Sequence, residues 1–112
     1  MSAHAENAVE VRRQAIQVEI DAKRSAAERN RLGQFPTPNA LAVEIARYVA
    51  TLLGRKSGAI RFADPAIGSG SFYSAALAVF GRERIASAVG IEIDPAFCDA
   101  ARDLWADAGR VR

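Results

Sequence analysis

The segment RFADPAIGSGSFYSAAL, residues 61–77, joins a short apolar strand to a helix through a turn that contains two glycines. The strand is predicted over residues 59–64, and a second apolar strand is predicted over 86–93. Helical patterns precede the first strand, connect the two and follow the second. Strands that alternate with helices run parallel and are joined by right-handed crossovers. The predicted fold class is therefore α/β, the start of a doubly wound parallel sheet.

Two helices are predicted before the first strand. Residues 6–31 contain no Gly or Pro and are rich in helix-forming residues, which predicts one long helix that ends near Gly33. A second helix begins after two prolines, with Thr37 or Asn39 as its N-cap. Its apolar residues recur at helical spacing and are expected to face the core: Leu41, Ile45, Tyr48, Val49, Leu52 and Leu53. We therefore divide the chain into an N-terminal helical segment, 1–31, and an α/β part, 32–112.

Length and composition limit what the chain can be. Its 112 residues suffice for one small domain, and its net charge of +2 gives no argument for nucleic-acid binding. The single cysteine, Cys98, excludes an internal disulfide and is expected to be a buried residue in a protein of the reducing cytoplasm. No apolar run approaches the ~18 residues of a membrane span. Because two parallel strands bury little surface, we expect the sheet to be incomplete and to be continued by another chain or domain.

The glycine turn excludes two common phosphate-binding motifs. Gly68 and Gly70 match the first two glycines of a G-x-G-x-x-G dinucleotide motif, but Tyr73 occupies the third position, and no Gly-Lys-Ser or Gly-Lys-Thr follows. The carboxylate of Asp64 would repel a pyrophosphate and would attract an ammonium group. Glu92, at the end of the second strand, can accept hydrogen bonds from both hydroxyls of a ribose. A ligand with an amino-acid ammonium and an adenosine, such as S-adenosylmethionine, satisfies these conditions.

Simpler interpretations of the same residues remain open at this point. Gly68 and Gly70 can serve turn geometry alone, Thr37 can be only an N-cap, and Glu92 can be only an exposed strand end. Phe35, like other aromatic residues of the chain, can be a packing residue.

Three segments nevertheless occur in an order that resembles a known family. FADPAIGSGSF is similar to the first cofactor-binding motif of S-adenosylmethionine-dependent adenine-N6 DNA methyltransferases, with Ile67 in place of the usual cysteine. GIEIDP resembles their acidic second motif, and GQFPTP resembles the motif that precedes both in the gamma-ordered enzymes of restriction–modification systems. The resemblance covers residues 32–105, the front part of such an enzyme. It implies a Rossmann-like sheet of the class I methyltransferase type.

The resemblance also implies a role for each residue of the cofactor site. Thr37, beside Pro38, would bind the methionine carboxylate, and Asp64 would bind the ammonium group. Glu92 would bind the ribose hydroxyls. Phe35 would form one wall of the cofactor site, and Ile93 would lie on the adenine ring. Ala66 and Gly68 would contact the cofactor through their backbone atoms, and Gly70 would allow the cofactor to pass close to the backbone. No metal is implied.

The catalytic motif of that family is missing from the sequence. These enzymes hold the flipped adenine with Asn or Asp, two prolines and an aromatic residue. The nearest string, Asp94 to Phe97 (DPAF), lacks the second proline and belongs to the acidic motif. No catalytic residue is therefore assigned, and DNA contact and methyl transfer are expected to need a downstream portion. The alternatives are an inactive remnant, a small interaction module, or an enzyme that uses the same cofactor on RNA, protein or a small molecule.

Overall fold

The structure, a computed structural model, describes residues 3–54, 58–106 and 110–111 and has the α/β character that the sequence predicts. Three parallel strands form a sheet in the order β1-β2-β3. The first two strands confirm the predicted parallel pair, whereas the short β3 was not predicted. The elements are α1 (Ala3–Ala22), α2 (Ala26–Leu32), α3 (Asn39–Leu53), β1 (Ile60–Asp64), α4 (Ser71–Phe80), a 3-10 turn (Arg82–Arg84), β2 (Ile85–Gly90), α5 (Pro95–Leu104) and β3 (Arg110–Val111).

The N-terminal helical segment is two helices rather than the single helix predicted over residues 6–31. The break lies at Lys23–Ser25, where Ser25 becomes the N-cap of α2 and its Oγ accepts a hydrogen bond from the Glu28 amide at 3.1 Å. A serine that caps a new helix competes with continuation of the old one. Gly33 ends α2 in a left-handed conformation, φ +65°, as predicted. None of the helices in the described ranges is long and apolar enough to cross a membrane.

The third helix buries a different face from the one predicted. Ala42 is 0% exposed and packs with Ala46 against Ala75 of α4. Small residues on both helices allow this close approach. The predicted core stripe is therefore wrong, since all six of its members are exposed by 38–67%: Leu41, Ile45, Tyr48, Val49, Leu52 and Leu53. We call these six residues the outer face of α3.

The main core lies between the sheet and helices α1, α4 and α5. Tyr73 of α4 is its centre, with ring centroids 5.2 Å from Phe62 of β1 and 5.1 Å from Trp105 at the end of α5. The second contact is edge-to-face, a favourable geometry for aromatic rings. Cys98 is buried in the same cluster with a free thiol, as expected. This core fixes the start of α4 and the end of α5 relative to β1, and so positions the turn between β1 and α4.

Candidate functional site

The turn after β1 is tied to the chain that follows β2. Asp64 closes its start, because its Oδ1 accepts a hydrogen bond from the Ala66 amide at 3.0 Å. The Asp64 carbonyl accepts from the Ile91 amide at 2.9 Å, and the Ile67 amide donates to the Ile91 carbonyl at 3.0 Å. Ile67 is buried over Gly90, where an added Cβ would lie 2.4 Å from its Cδ1. The two segments that carry the predicted site therefore meet at the carboxyl ends of the strands, where ligands bind in open α/β sheets.

The two glycines of the turn serve different purposes. Both have positive φ, +56° for Gly68 and +97° for Gly70. A Cβ at Gly70 would lie 2.2 Å from Nε1 of Trp105, so this glycine makes room for the indole. A Cβ at Gly68 would meet nothing within 4 Å, and the Gly68 amide faces Glu92. Of the two, only Gly68 presents its backbone to the candidate site.

Glu92 is held by two backbone amides. Its Oε1 accepts from Gly68 at 2.8 Å, and its Oε2 accepts from Asp94 at 2.9 Å. The strand predicted over residues 86–93 ends at Gly90, so Glu92 lies in the connection to α5 rather than in the sheet. Its half-buried carboxylate is therefore fixed in orientation, and the interpretation as a simple exposed strand end is wrong.

A cavity of about 490 Å³ opens at this place. This volume is within the range of ~300–1,000 Å³ that is typical of small-molecule sites. Four segments contribute its walls: the α1–α2 region, the chain after α2, the glycine turn and the start of α5. The lining residues are Gln17, Arg24, Gly33, Gln34, Phe35, Pro36, Pro65, Ala66, Gly68, Glu92, Ile93, Asp94, Pro95 and Phe97.

Five of the nine predicted cofactor-binding residues line this cavity: Phe35, Ala66, Gly68, Glu92 and Ile93. Phe35 and Ile93 are 71% and 83% exposed, so both apolar side chains are accessible to a ligand rather than packed in the core. The sequence thus predicted residues that are far apart along the chain and that the fold brings together around one cavity.

The other four predicted residues lie beside the lining residues but not among them. The Thr37 carbonyl accepts from Ser71 Oγ at 2.7 Å, and Pro38 occupies the N-cap position of α3 without a side-chain capping bond. The expectation that Thr37 or Asn39 caps this helix is therefore wrong. The Asp64 Oδ1 closes the turn, and Gly70 contacts Trp105.

A cluster of three polar side chains at the cavity wall was not predicted. Arg24 donates to both carboxylate oxygens of Asp94, with Nη2 to Oδ1 at 2.9 Å, and Gln34 also donates to Oδ2. Arg24 Nη1 additionally donates to the Gln34 Oε1 at 3.0 Å. The Arg24 guanidinium lies 5.8 Å from the ring centroid of Phe97, a cation–π distance. This cluster joins the α1–α2 connection to the start of α5.

The hydrogen bonds from Arg24 control the ionisation of Asp94. Together with the weaker donors Gln34 and the Ala96 amide, they lower the pKa of Asp94 to about 2, although burial of the carboxyl acts in the opposite direction. Asp94 also caps α5 through the Ala96 amide at 3.0 Å, followed by Pro95 at the first helical position, as predicted. Its position after GIEI is a sequence signal for the cap, but nothing in the sequence indicates Arg24 as its partner.

The cavity combines one oriented carboxylate, one carboxylate neutralised by a guanidinium, and exposed apolar side chains. In the described ranges, no group of three or more His, Cys, Asp or Glu residues could hold a metal ion. A scan of the chain against models of known protein families finds no match, and no solved structure is significantly similar to it.

Proposed function

We propose that the chain is the S-adenosylmethionine-binding portion of a site-specific DNA methyltransferase that acts on adenine N6, of the restriction–modification type. The observation that carries the proposal is the cavity at the carboxyl ends of β1 and β2. Most of its lining residues come from GQFPTP, FADPAIGSGSF and GIEIDP, the three segments that resemble the motifs of this family. On this proposal, the parallel strands and their connecting helix are the start of a Rossmann-like sheet of the class I methyltransferase type.

The chemistry of the walls supports an adenosine ligand. The Glu92 carboxylate, oriented by the Gly68 and Asp94 amides, can accept hydrogen bonds from the ribose hydroxyls. Phe35 and Ile93 offer exposed apolar surface to an adenine ring. Among the described lining residues Arg24 is the only cation, and it is paired with Asp94, so these residues offer no free positive charge to a phosphate. An adenosine ligand without a phosphate therefore fits these walls better than a nucleotide.

The methionine part of the ligand is assigned to residues next to the lining. Thr37 and Pro38 follow the lining residue Pro36, and Asp64 precedes the lining residue Pro65. On this proposal, Asp64 receives the ammonium group and Thr37 the carboxylate, so the ligand extends from the cavity toward β1 and the start of α3.

Methyl transfer on this proposal needs residues outside these 112. The string DPAF has no free acceptor for an adenine amino group, because Asp94 caps α5 and is paired with Arg24. The sequence has no other candidate for the catalytic tetrapeptide. The chain is therefore assigned the task of holding the methyl donor, while DNA binding and base flipping belong to a downstream portion or a second polypeptide.

Isothermal titration with S-adenosylmethionine and S-adenosylhomocysteine tests the proposal. Both are expected to bind at one site, and Glu92→Gln is expected to weaken binding about tenfold or more, since a hydrogen bond to a charged group contributes ~1.5–3 kcal/mol. Asp64→Ala is expected to weaken binding of both. Asp103→Asn, at an exposed position of α5 that is not among the lining residues, is the matched control and should leave the affinity unchanged. A folded wild-type chain that binds neither compound would contradict the proposal.

One observation favours a second candidate, an inactive interaction module: the outer face of α3 is apolar and exposed. The partner proposed for it is a polypeptide that extends the sheet beyond its edge strand β1. Without that partner, we expect concentration-dependent self-association in sedimentation velocity, reduced by Tyr48→Gln with Leu52→Gln. Self-association together with no cofactor binding would favour this second function over the first.

A further inference from the structure

Helix α1 holds the glycine turn through the hydroxyl of Ser69. Ser69 is only 2% exposed and lies between the two glycines. Its Oγ accepts a hydrogen bond from Arg13 Nη1 at 2.9 Å and donates one to Gln17 Oε1 at 2.8 Å. Arg13 and Gln17 are one helical turn apart on α1. The hydroxyl is thus fixed from two directions by a helix that lies outside the segments resembling the methyltransferase motifs.

Arg13 is itself fixed by a buried ion pair. Its Nε and Nη2 donate to the two carboxylate oxygens of Glu10 at 2.6 and 2.9 Å. The same carboxylate accepts from Ser74 Oγ of α4 at 2.7 Å and from Gln14 at 2.6 Å. Burial raises the pKa of Glu10, but the hydrogen bonds from these three side chains outweigh burial and hold it below its ordinary value. The network therefore contains a carboxylate and a guanidinium in a fork geometry that only arginine provides.

The backbone of Ser69 is held from a third direction. Trp105 Nε1 donates to the Ser69 carbonyl at 3.0 Å, and the indole fills the space beside Gly70. The preceding residue, Gly68, supplies the amide that orients Glu92. The position of the Glu92 carboxylate in the cavity thus depends on a turn whose middle residue is immobilised by α1 and α5.

We infer that Arg13 is a positioning residue for ligand binding. With Glu10 it fixes the position of Ser69, and through the turn it fixes the orientation of the Gly68 amide and of the Glu92 carboxylate. This inference rests on the proposed function. A buried ion pair contributes little net stability compared with apolar residues of the same volume, so stability alone is a weak reason for an Arg–Glu pair at this position. An ion pair that also donates a hydrogen bond to the middle residue of the turn holds that turn in one conformation.

Two mild substitutions test the inference. Ser69→Ala removes the hydroxyl while leaving the carbonyl that Trp105 binds. Arg13→Lys keeps the positive charge beside Glu10 but cannot donate in the same geometry to both Glu10 oxygens and the Ser69 hydroxyl. Both are expected to weaken S-adenosylmethionine binding by about tenfold or more, measured by titration well below the unfolding temperature, where the protein is fully folded. Arg12→Ala is the matched control. It removes the exposed 2.9 Å ion pair between α1 and Asp103 of α5 without touching the turn, and its affinity should equal that of the wild type.

The fluorescence of Trp105, the only tryptophan of the chain, gives a second readout. The indole donates a hydrogen bond to the Ser69 carbonyl. Its emission is therefore expected to shift in Ser69→Ala and in Arg13→Lys, before any ligand is added, and to stay unchanged in Arg12→Ala. A purely stabilising role would lower the unfolding temperature and leave the affinity and emission of the folded protein unchanged. That result, in a wild type that binds, would overturn the inference alone. A folded wild type that does not bind would overturn the proposed function and this inference with it.

Discussion

Asp94 performs two tasks with one carboxylate: it caps α5 and it pairs with Arg24 and Gln34 at the cavity wall. Its pKa of about 2 is below the ordinary value of 3.8, so Asp94 favours the folded state when it is ionised. This stabilisation is complete above 3.8 and is lost as the pH falls from 3.8 through about 2.

We therefore expect the free energy of unfolding of the wild type to decrease more between about pH 5 and pH 2 than that of Asp94→Asn. Asparagine can still cap the helix but does not titrate. Urea unfolding at both pH values measures the difference. The lowered pKa of Glu10 adds acid sensitivity to both proteins, so the difference between them isolates Asp94. Equal pH dependence of the two proteins would contradict the role of the ion pair.

Gly68 and Gly70 provide a residue-level comparison, because both have positive φ and only one is crowded. Alanine at either position incurs a backbone cost of about 1–2 kcal/mol. At Gly70 the new methyl group would also displace the Trp105 indole, which adds about 1–3 kcal/mol. Gly70→Ala should therefore destabilise the protein more than Gly68→Ala in urea unfolding followed by tryptophan fluorescence. Similar losses for the two variants would mean that Trp105 does not require this glycine.

Helix α3 shows what periodicity can and cannot predict at the scale of an element. Its apolar spacing correctly predicts a helix, but the face that packs on α4 is the one with Ala42 and Ala46. Hydrophobic spacing identifies an apolar face, whereas the close approach of two helices is decided by small residues on both. The local sequence of a helix does not specify which other element packs against it.

The exposure of each position on α3 predicts how strongly a substitution there changes the free energy of unfolding. Leu52→Gln, at a position 67% exposed, should change the free energy of unfolding by less than about 0.5 kcal/mol. Ala42→Leu, at a position 0% exposed against α4, should lower it by about 1–3 kcal/mol through overpacking. Chemical denaturation of the two variants measures both values. A larger loss of stability in Leu52→Gln than in Ala42→Leu would support the predicted core stripe instead.

At the scale of the whole molecule, the proposal separates cofactor binding from catalysis. The chain is expected to bind S-adenosylmethionine without methylating DNA, because Asp94 is engaged in the fold and no other candidate for the catalytic motif is present. Incubation with adenine-containing duplex DNA and methyl-labelled cofactor should give no incorporation above that of Glu92→Gln. Incorporation by the wild type alone would show that transfer needs no further residues.

The sequence by itself determined the alternation of helices and strands from α3 to α5 and three of the segments that form the cavity. These features depend on local chemistry: Gly33 ends a helix, Asp94 and Pro95 begin one, and the glycine turn separates a strand from a helix. Parallel strand topology then brings the predicted segments to one edge of the sheet. Four of the five predicted residues that line the cavity follow β1 or β2 and meet there for this reason: Ala66, Gly68, Glu92 and Ile93.

Only the tertiary structure decided which long-range partners meet. Arg24 and Asp94 are 70 positions apart, and Arg13 and Ser69 are 56 positions apart. In the sequence, Glu10 and Arg13 are two of many charged residues in the predicted helix 6–31, and no local pattern distinguishes them, yet both are buried. Burial of a charged side chain depends on whether a partner across the fold satisfies it, and no local pattern contains that information.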